Sequence, residues 1–237
     1  MKIIAFLLCG VLSPALCAHT GGVVDLKCPL DGTEFKSWQD FSGTSYGLRL
    51  DLKREGLIAQ PWALAQCPKC HFPLFKTNLS EDEKSELRTI VAGNRFIRAA
   101  KSRNPYFALA VLQEELQAPP KKIAESYLYA SWLAEENNPG SYRAFAKRAI
   151  EWFDLAAGRP AEADDAKNSR QISIYLPIEL SRRVGEFDEA KQRINDAADL
   201  NKTKIKWLPG ALADEKRLVA AKDASPHDMG KPGDASK

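Results

Sequence analysis

Residues 174–197, IYLPIELSRRVGEFDEAKQRINDA, have the pattern of a helix, a tight turn at Gly185 and a second helix. An earlier part of the chain repeats this pattern. Aligning Gly140 with Gly185 sets Phe145 against Ala190 and leaves a helical pattern on each side of both glycines. A helix–turn–helix unit that recurs along one chain is the sequence signature of a helical-repeat architecture. The sequence therefore predicts a tetratricopeptide-like domain and a mainly α fold.

The predicted helical domain covers residues 80–222. It begins with a capping box, because Ser80 is followed three positions later by Glu83. Pro105 suits the first turn of a later helix, where a missing N–H costs nothing. Pro177 departs from the pattern, since a proline inside a helix removes one hydrogen bond; a kink, or a helix that begins near Pro177, is predicted there.

The parts of the chain outside this domain have other patterns. Residues 19–79 carry most of the strand signal: Leu48, Leu50 and Leu52 alternate with charged side chains, which predicts a strand with one buried face. Residues 223–237 are polar and rich in Pro and Gly, and we predict a disordered tail there.

Residues 1–18, MKIIAFLLCGVLSPALCA, have the layout of a secretory signal peptide: a Lys, an apolar run and a small-residue end. Cleavage after Ala18 leaves a mature chain with no apolar run long enough to span a bilayer. Lipid attachment at Cys17 is less well supported, because Leu16 is not the small residue that usually precedes such a cysteine. We expect an exported protein, periplasmic or extracellular.

The composition argues against two classes of function. The formal net charge is +3, and a nucleic-acid-binding protein is expected to show a basic stripe with interleaved aromatics. The nearest candidate, residues 202–207, has three lysines beside one Trp and is more typical of a solvated helix end. Phosphate-loop, G-x-S-x-G and H-E-x-x-H motifs are missing from the sequence. We expect neither nucleic-acid binding nor enzymatic activity.

The cysteines indicate a metal site. After removal of the signal peptide three remain, and an odd number of thiols is awkward for a disulfide framework. They lie in two motifs, CPLDG at 28–32 and CPKCH at 67–71, each with the form of a knuckle that directs two ligands at one ion. Two knuckles separated by a hairpin make a zinc ribbon, which predicts a zinc-ribbon-like module over residues 19–79. The predicted ligands are Cys28, Asp31, Cys67 and Cys70.

The fourth ligand and the chemistry have alternatives. His71, His19 or a water can take the place of Asp31. CPKCH also fits the attachment site of a covalent haem c with His71 as axial ligand, although haem leaves Cys28 unexplained. A redox dithiol of Cys67 and Cys70 is a further possibility, but such pairs usually begin a helix, and an extended segment follows here. A disulfide from Cys28 to one of the pair leaves an odd thiol.

The order of these features resembles a bacterial family of unknown function that joins two C-P-x-C-G knuckles to a tetratricopeptide-like region. The matching stretches are CPLDGTEF at 28–35, CPKCHFPLF at 67–75 and the helical segment at 174–197. Two departures stand out: Asp31 replaces a knuckle Cys, and His71 replaces a knuckle Gly. The resemblance implies a zinc-binding scaffold and brings no established activity.

These patterns together predict a scaffold of the cell envelope. Stacked helix pairs present a concave face that suits a protein or peptide partner. Because thiolate ligands form a site only when folded around their ion, metal removal is expected to loosen residues 25–75 and to spare the helices.

Overall fold

The structure, a computed structural model, describes residues 19–160, 164–197, 200 and 203–230. The predicted signal peptide, residues 1–18, lies outside these. Four short strands come first: β1 Thr20–Lys27, β2 Glu34–Ser42, β3 Thr44–Leu48 and β4 Arg54–Leu57. The helices that follow in this part of the chain are α1 Glu81–Ala92, α2 Asn94–Ala100, α3 Pro105–Glu115, α4 Pro120–Ala134, α5 Pro139–Ala157, α6 Asp164–Arg183, α7 Phe187–Asp196 and α8 Leu208–Ala220.

The fold is mainly α, as predicted, with two small β-hairpins at its N-terminal end. β1 pairs with β2, and β3 pairs with β4, both antiparallel, giving two separate two-stranded sheets. Each helix from α2 onward packs against the next in the chain. No helix in the described ranges combines the length and the apolar character that crossing a bilayer requires. The likeness to tetratricopeptides stays a prediction.

The predicted strand around Leu50 is wrong. β3 ends at Leu48 and the chain turns, with Leu52 at a φ of 69°. Leu50 is buried, but Arg49 and Asp51 are buried as well, so the expected alternation of buried and exposed side chains fails. The reason is an ion pair of 2.7 Å between Arg49 and Asp51, which offsets the desolvation of both charges.

The predicted helix starts are confirmed where capping decides them. The Ser80 side chain accepts a hydrogen bond from the Glu83 N–H, and the Glu83 carboxylate accepts one from the Ser80 N–H at 2.9 Å. Pro105 occupies the first turn of α3 as expected. Pro177 does not begin a helix: α6 runs through it over 20 residues. Burial of the side chains around Pro177 outweighs the single missing hydrogen bond.

The two aligned glycines are not structurally equivalent. Gly185 has a φ of 80° in the turn between α6 and α7, a conformation that favours glycine. Gly140 lies within the first turn of α5, where Asn138 provides the cap. Phe145 of α5 and Ala190 of α7, which are aligned in the sequence, are both buried.

The described residues form two apolar clusters. The larger one is built mostly from α3 to α8 and includes Leu50 from the β region. The smaller one joins Cys28 and Cys67 to Leu87 of α1 and Phe96 of α2, and it extends to α3. Since the cysteine motifs share a core with three helices, we now expect metal removal to loosen α1–α3 as well.

The prediction of a disordered tail is wrong for residues 223–230, here called the C-terminal strap. The Leu50 N–H donates to the His227 carbonyl at 2.9 Å, and the Met229 N–H donates to the Leu48 carbonyl at 2.7 Å. Buried Arg182 donates to the carbonyls of two further strap residues. The composition did not reveal this, because the strap is held mainly by hydrogen bonds from its backbone to residues distant in the sequence, with partly buried Met229 packed against the larger apolar cluster. Residues 231–237 lie outside the described part.

Deleting residues 223–237 is expected to lower the free energy of unfolding by about 3 kcal/mol, because buried donors lose their acceptors. Deletion of residues 231–237 alone is the matched control, since it keeps the strap. The measurement is urea unfolding followed by circular dichroism. Equal stability of the two truncated proteins would contradict a structural role for the strap.

Glu135 connects the β3–β4 turn to the helices. Its carboxylate accepts hydrogen bonds from Arg49 at 2.7 and 2.8 Å and from Arg183 at 2.5 Å. Burial acts to raise the pKa of Glu135, but the hydrogen bonds from the two guanidinium groups outweigh it and lower the pKa from 4.5 to about 2. The ionised form is therefore favoured by folding.

A carboxyl group with a lowered pKa stabilises the fold above its unfolded pKa and loses that contribution as the pH falls. For Glu135 the window runs from about pH 4.5 to pH 2. Between pH 5 and pH 2 the wild type is expected to lose about 3 kcal/mol more than Glu135→Gln. Urea unfolding of both proteins across this range measures the difference, and parallel pH profiles would contradict the prediction.

Candidate metal centre

The first cysteine motif is a tight turn at the tip of the β1–β2 hairpin. The Cys28 N–H donates to the Thr33 carbonyl at 2.8 Å, and the Gly32 N–H donates to the Cys28 carbonyl at 3.0 Å. Gly32 has a φ of 74°, which glycine adopts without strain. These bonds hold Asp31 at the outer end of the turn.

The second motif repeats this backbone geometry. The Cys67 N–H donates to the Phe72 carbonyl at 3.0 Å, and the His71 N–H donates to the Cys67 carbonyl at 2.9 Å. His71 has a φ of 60° and so takes the place of Gly32. Cys70 in turn takes the place of Asp31. The two turns are structural copies, as the sequence motifs predict.

Four side chains of these turns converge. One ligand atom from each lies within 4.8 Å of all the others. The Sγ atoms of Cys28 and Cys70 are 3.6 Å apart, and the Cys67 Sγ is 3.8 Å from both carboxylate oxygens of Asp31. A tetrahedral zinc ion with Zn–S distances of about 2.3 Å requires sulfur atoms about 3.8 Å apart. This Cys/Asp cluster can therefore hold a metal ion such as zinc.

The electrostatics of the cluster suit a cation. Burial raises the pKa of the Cys28 and Cys70 thiols, and it outweighs the backbone hydrogen bonds that favour their thiolates. Burial also acts to raise the pKa of Asp31, but hydrogen bonds from the Thr33 N–H and from the Cys28 thiol outweigh it and lower the pKa to about 2. A bound divalent cation supplies the missing positive charge and releases the thiol protons.

The alternative fourth ligands lie elsewhere. His71 is exposed and is not a member of the cluster. The His19 Nε2 pairs with Asp40 at 3.0 Å. The three thiols are free, so no disulfide forms among the described cysteines. Of the candidates that the sequence offered, the structure brings only Asp31 to the three cysteines within the described ranges.

The helices support the cluster from one side. Cys28 and Cys67 are almost fully buried, whereas Asp31 is exposed. The Arg88 Nε donates to the Leu30 carbonyl at 2.9 Å and so ties α1 to the first turn. The sequence did not single out Arg88, because its partner lies 58 positions away and no local pattern marks the contact.

Fold and site define a class of protein: a mainly α-helical protein whose N-terminal turns form a Cys/Asp cluster able to hold a metal ion. Within that class, the chain belongs to the family of uncharacterized proteins conserved in bacteria, DUF2225, whose model matches residues 25–219. This bears out the resemblance to an uncharacterised bacterial family. No curated protein and no solved structure matches the chain significantly.

Proposed function

We propose that this protein is an exported, non-enzymatic scaffold that holds a structural zinc ion and binds a protein or peptide partner in the cell envelope through its helical surface. The observation that carries the proposal is the convergence of four ligand atoms from two matching turns. The proposed zinc ligands are Cys28, Asp31, Cys67 and Cys70.

A structural role for zinc is favoured over a catalytic one. Catalytic zinc sites keep a position for water, whereas structural sites use four protein ligands. Asp31 supplies the fourth ligand here, with both carboxylate oxygens 3.8 Å from the Cys67 Sγ. The ion would join the two turns and brace them against α1–α3, which share a core with Cys28 and Cys67.

Zinc is also favoured over the two other cysteine chemistries. Covalent haem needs both thiols of the CPKCH motif to reach a porphyrin, but Cys67 is fully buried. A reactive dithiol usually lies at a helix N-terminus, which lowers a thiol pKa. Cys70 lies in a turn eleven positions before the first residue of α1, and its pKa is raised by burial.

Export and partner binding rest on other features. Export is supported by the signal-peptide pattern of residues 1–18. Partner binding is supported by the series of helices from α2 to α8, each packed on the next, because such arrays offer extended surfaces to peptides and to partner helices.

Elemental analysis of the purified mature protein, with a visible spectrum of the same sample, tests the metal assignment. One equivalent of zinc and no Soret band is the expected result. A covalent haem spectrum, or a folded protein without metal, would overturn it. Cell fractionation tests export in the same cultures: the expected result is processed protein outside the cytoplasm with its N-terminus at His19, and unprocessed protein in the cytoplasm would overturn export.

A further inference from the structure

A cavity of about 370 Å³ opens between α2, α3, α4 and α5, and no residue of the Cys/Asp cluster lines it. Its floor is aromatic: the ring centroids of Phe107 and Phe145 are 4.7 Å apart, and Tyr127 lies 6.2 Å from Phe107. Three arginines complete the lining. Ligand pockets commonly combine an apolar lining with a few charged groups in this way.

Glu114, whose side chain is 4% exposed, holds two of these arginines in place. Its carboxylate accepts hydrogen bonds from Arg95, from Arg148 at 2.5 Å, from the Trp152 Nε1 at 2.8 Å and from the Tyr127 hydroxyl at 3.0 Å. Three of these bonds end on Oε1, and the bond from Arg95 ends on Oε2. In the described part of the chain, no hydrogen bond or ion pair joins Glu114 to a third guanidinium group of the cavity.

Arg98 is that third group, and its charge is not compensated. It lines the cavity one helical turn after Arg95 and is exposed. Within the described part of the chain Arg98 has no ion-pair or hydrogen-bond partner. The other acids beside the cavity, Glu115 and Glu151, pair with Arg95 and Arg148 respectively. The rim thus presents one free guanidinium group above an aromatic floor.

We infer that this cavity binds an extended peptide segment in which an apolar side chain stands next to an acidic one. The apolar side chain packs on Phe107 and Phe145, and the carboxylate accepts the paired N–H groups of Arg98. The inference rests on the proposed function, since it names the chemistry of the peptide partner. The volume is at the small end of the usual range of about 300–1,000 Å³, which suits a side chain and its adjoining backbone.

The experiment uses the full mature protein and a fluorescein-labelled peptide with blocked ends, Gly-Ser-Phe-Glu-Gly-Ser, with binding measured by fluorescence anisotropy. Saturable binding is expected. Replacing the peptide's Glu by Gln removes the carboxylate that pairs with Arg98, and replacing its Phe by Ser removes the side chain that packs on the aromatic rings. Each change is expected to weaken binding at least about tenfold. Equal binding of all three peptides would overturn the inference.

Two protein variants locate the binding site. Arg98→Gln is expected to weaken binding at least about tenfold. Arg143→Gln is the matched control: Arg143 is an exposed arginine of α5 that does not line the cavity. Circular dichroism checks that both variants are folded. Wild-type binding by Arg98→Gln, or an equal loss in Arg143→Gln, would show that the cavity is not the binding site.

Two further measurements separate the possible failures. N-acetyl-phenylalanine that competes as well as the peptide would overturn peptide recognition in favour of a small carboxylate ligand. A mixed-sequence library of blocked peptides tests the broader proposal. If no library peptide binds, the proposal that this protein binds peptides is wrong. If library peptides bind equally well to the wild type and to Arg98→Gln, the protein binds peptides, but not in this cavity.

Discussion

Replacing Cys67 by Ser is expected to reduce bound zinc from one equivalent per chain to a trace and to lower the free energy of unfolding by at least about 3 kcal/mol. Two effects combine. The serine hydroxyl is a poor zinc ligand, and the Cys67 sulfur is also part of the apolar cluster shared with Leu87 and Phe96. Elemental analysis measures the first effect and urea unfolding measures the second.

Lys69→Ala is the matched control for this experiment. Lys69 lies in the same turn, between the two cysteines, but it is exposed and does not belong to the cluster. Its replacement is expected to leave the zinc content and the stability unchanged. Loss of zinc in both variants would mean that zinc binding depends on the conformation of the turn and not on the Cys67 sulfur.

The Asp31→Cys variant tests the fourth ligand from the opposite direction. Because Asp31 takes the place that Cys70 occupies in the second turn, a cysteine at this position should complete a four-thiolate site. Thiolates bind zinc more tightly than a carboxylate does, so the zinc affinity should rise at least about tenfold in competition with a chelator. An unchanged affinity would indicate that Asp31 is not a ligand.

The second large effect is expected from Arg182→Met, with a loss of about 3–5 kcal/mol in the free energy of unfolding. The Arg182 side chain is fully buried and donates to Glu179 at 2.5 Å and to Glu215 at 2.9 Å. It also donates to the strap carbonyls of Asp223 and Ser225 at 2.7 and 2.8 Å. Methionine has a similar length but offers no donor, so the two buried carboxylates and the two strap carbonyls lose their partner.

Arg217→Met is the control for this loss. Arg217 forms an ion pair of 3.2 Å with Asp214, but its side chain is 66% exposed. Exposed ion pairs contribute little to stability, and Arg217→Met is expected to change the free energy of unfolding by less than about 0.5 kcal/mol. Urea unfolding of both variants measures the two changes in the free energy of unfolding. Similarly small losses of stability in both variants would mean that the buried ion pairs of Arg182 do not stabilise the fold.

The features that the sequence predicted correctly depend on residues close together in the chain. The capping box of Ser80 and Glu83 spans four residues, and each cysteine turn spans five. Such contacts form wherever the local pattern is present, because the chain does not have to bring distant groups together. Asp31 was selected as a candidate ligand for this reason: it occupies a fixed place in a local turn.

The errors share a different cause. Arg49 and Asp51 were assigned to an exposed face because charged side chains are usually solvated. Their burial depends on Glu135, which lies 86 positions from Arg49. The strap was predicted to be disordered because it is polar, yet Arg182 and the β3–β4 turn supply its hydrogen bonds. Neither partner is visible from the local composition.

The sequence by itself determined the helical class, the local turns and the three cysteines of the candidate metal site, with Asp31 as the favoured fourth ligand beside His71, His19 and a water. Only the tertiary structure decided that these residues meet, that α1–α3 support them, and that Arg98 remains uncompensated above an aromatic cavity. The physical reason is that local hydrogen bonds depend on neighbouring residues, whereas the burial and pairing of charged groups depend on which distant segments pack together.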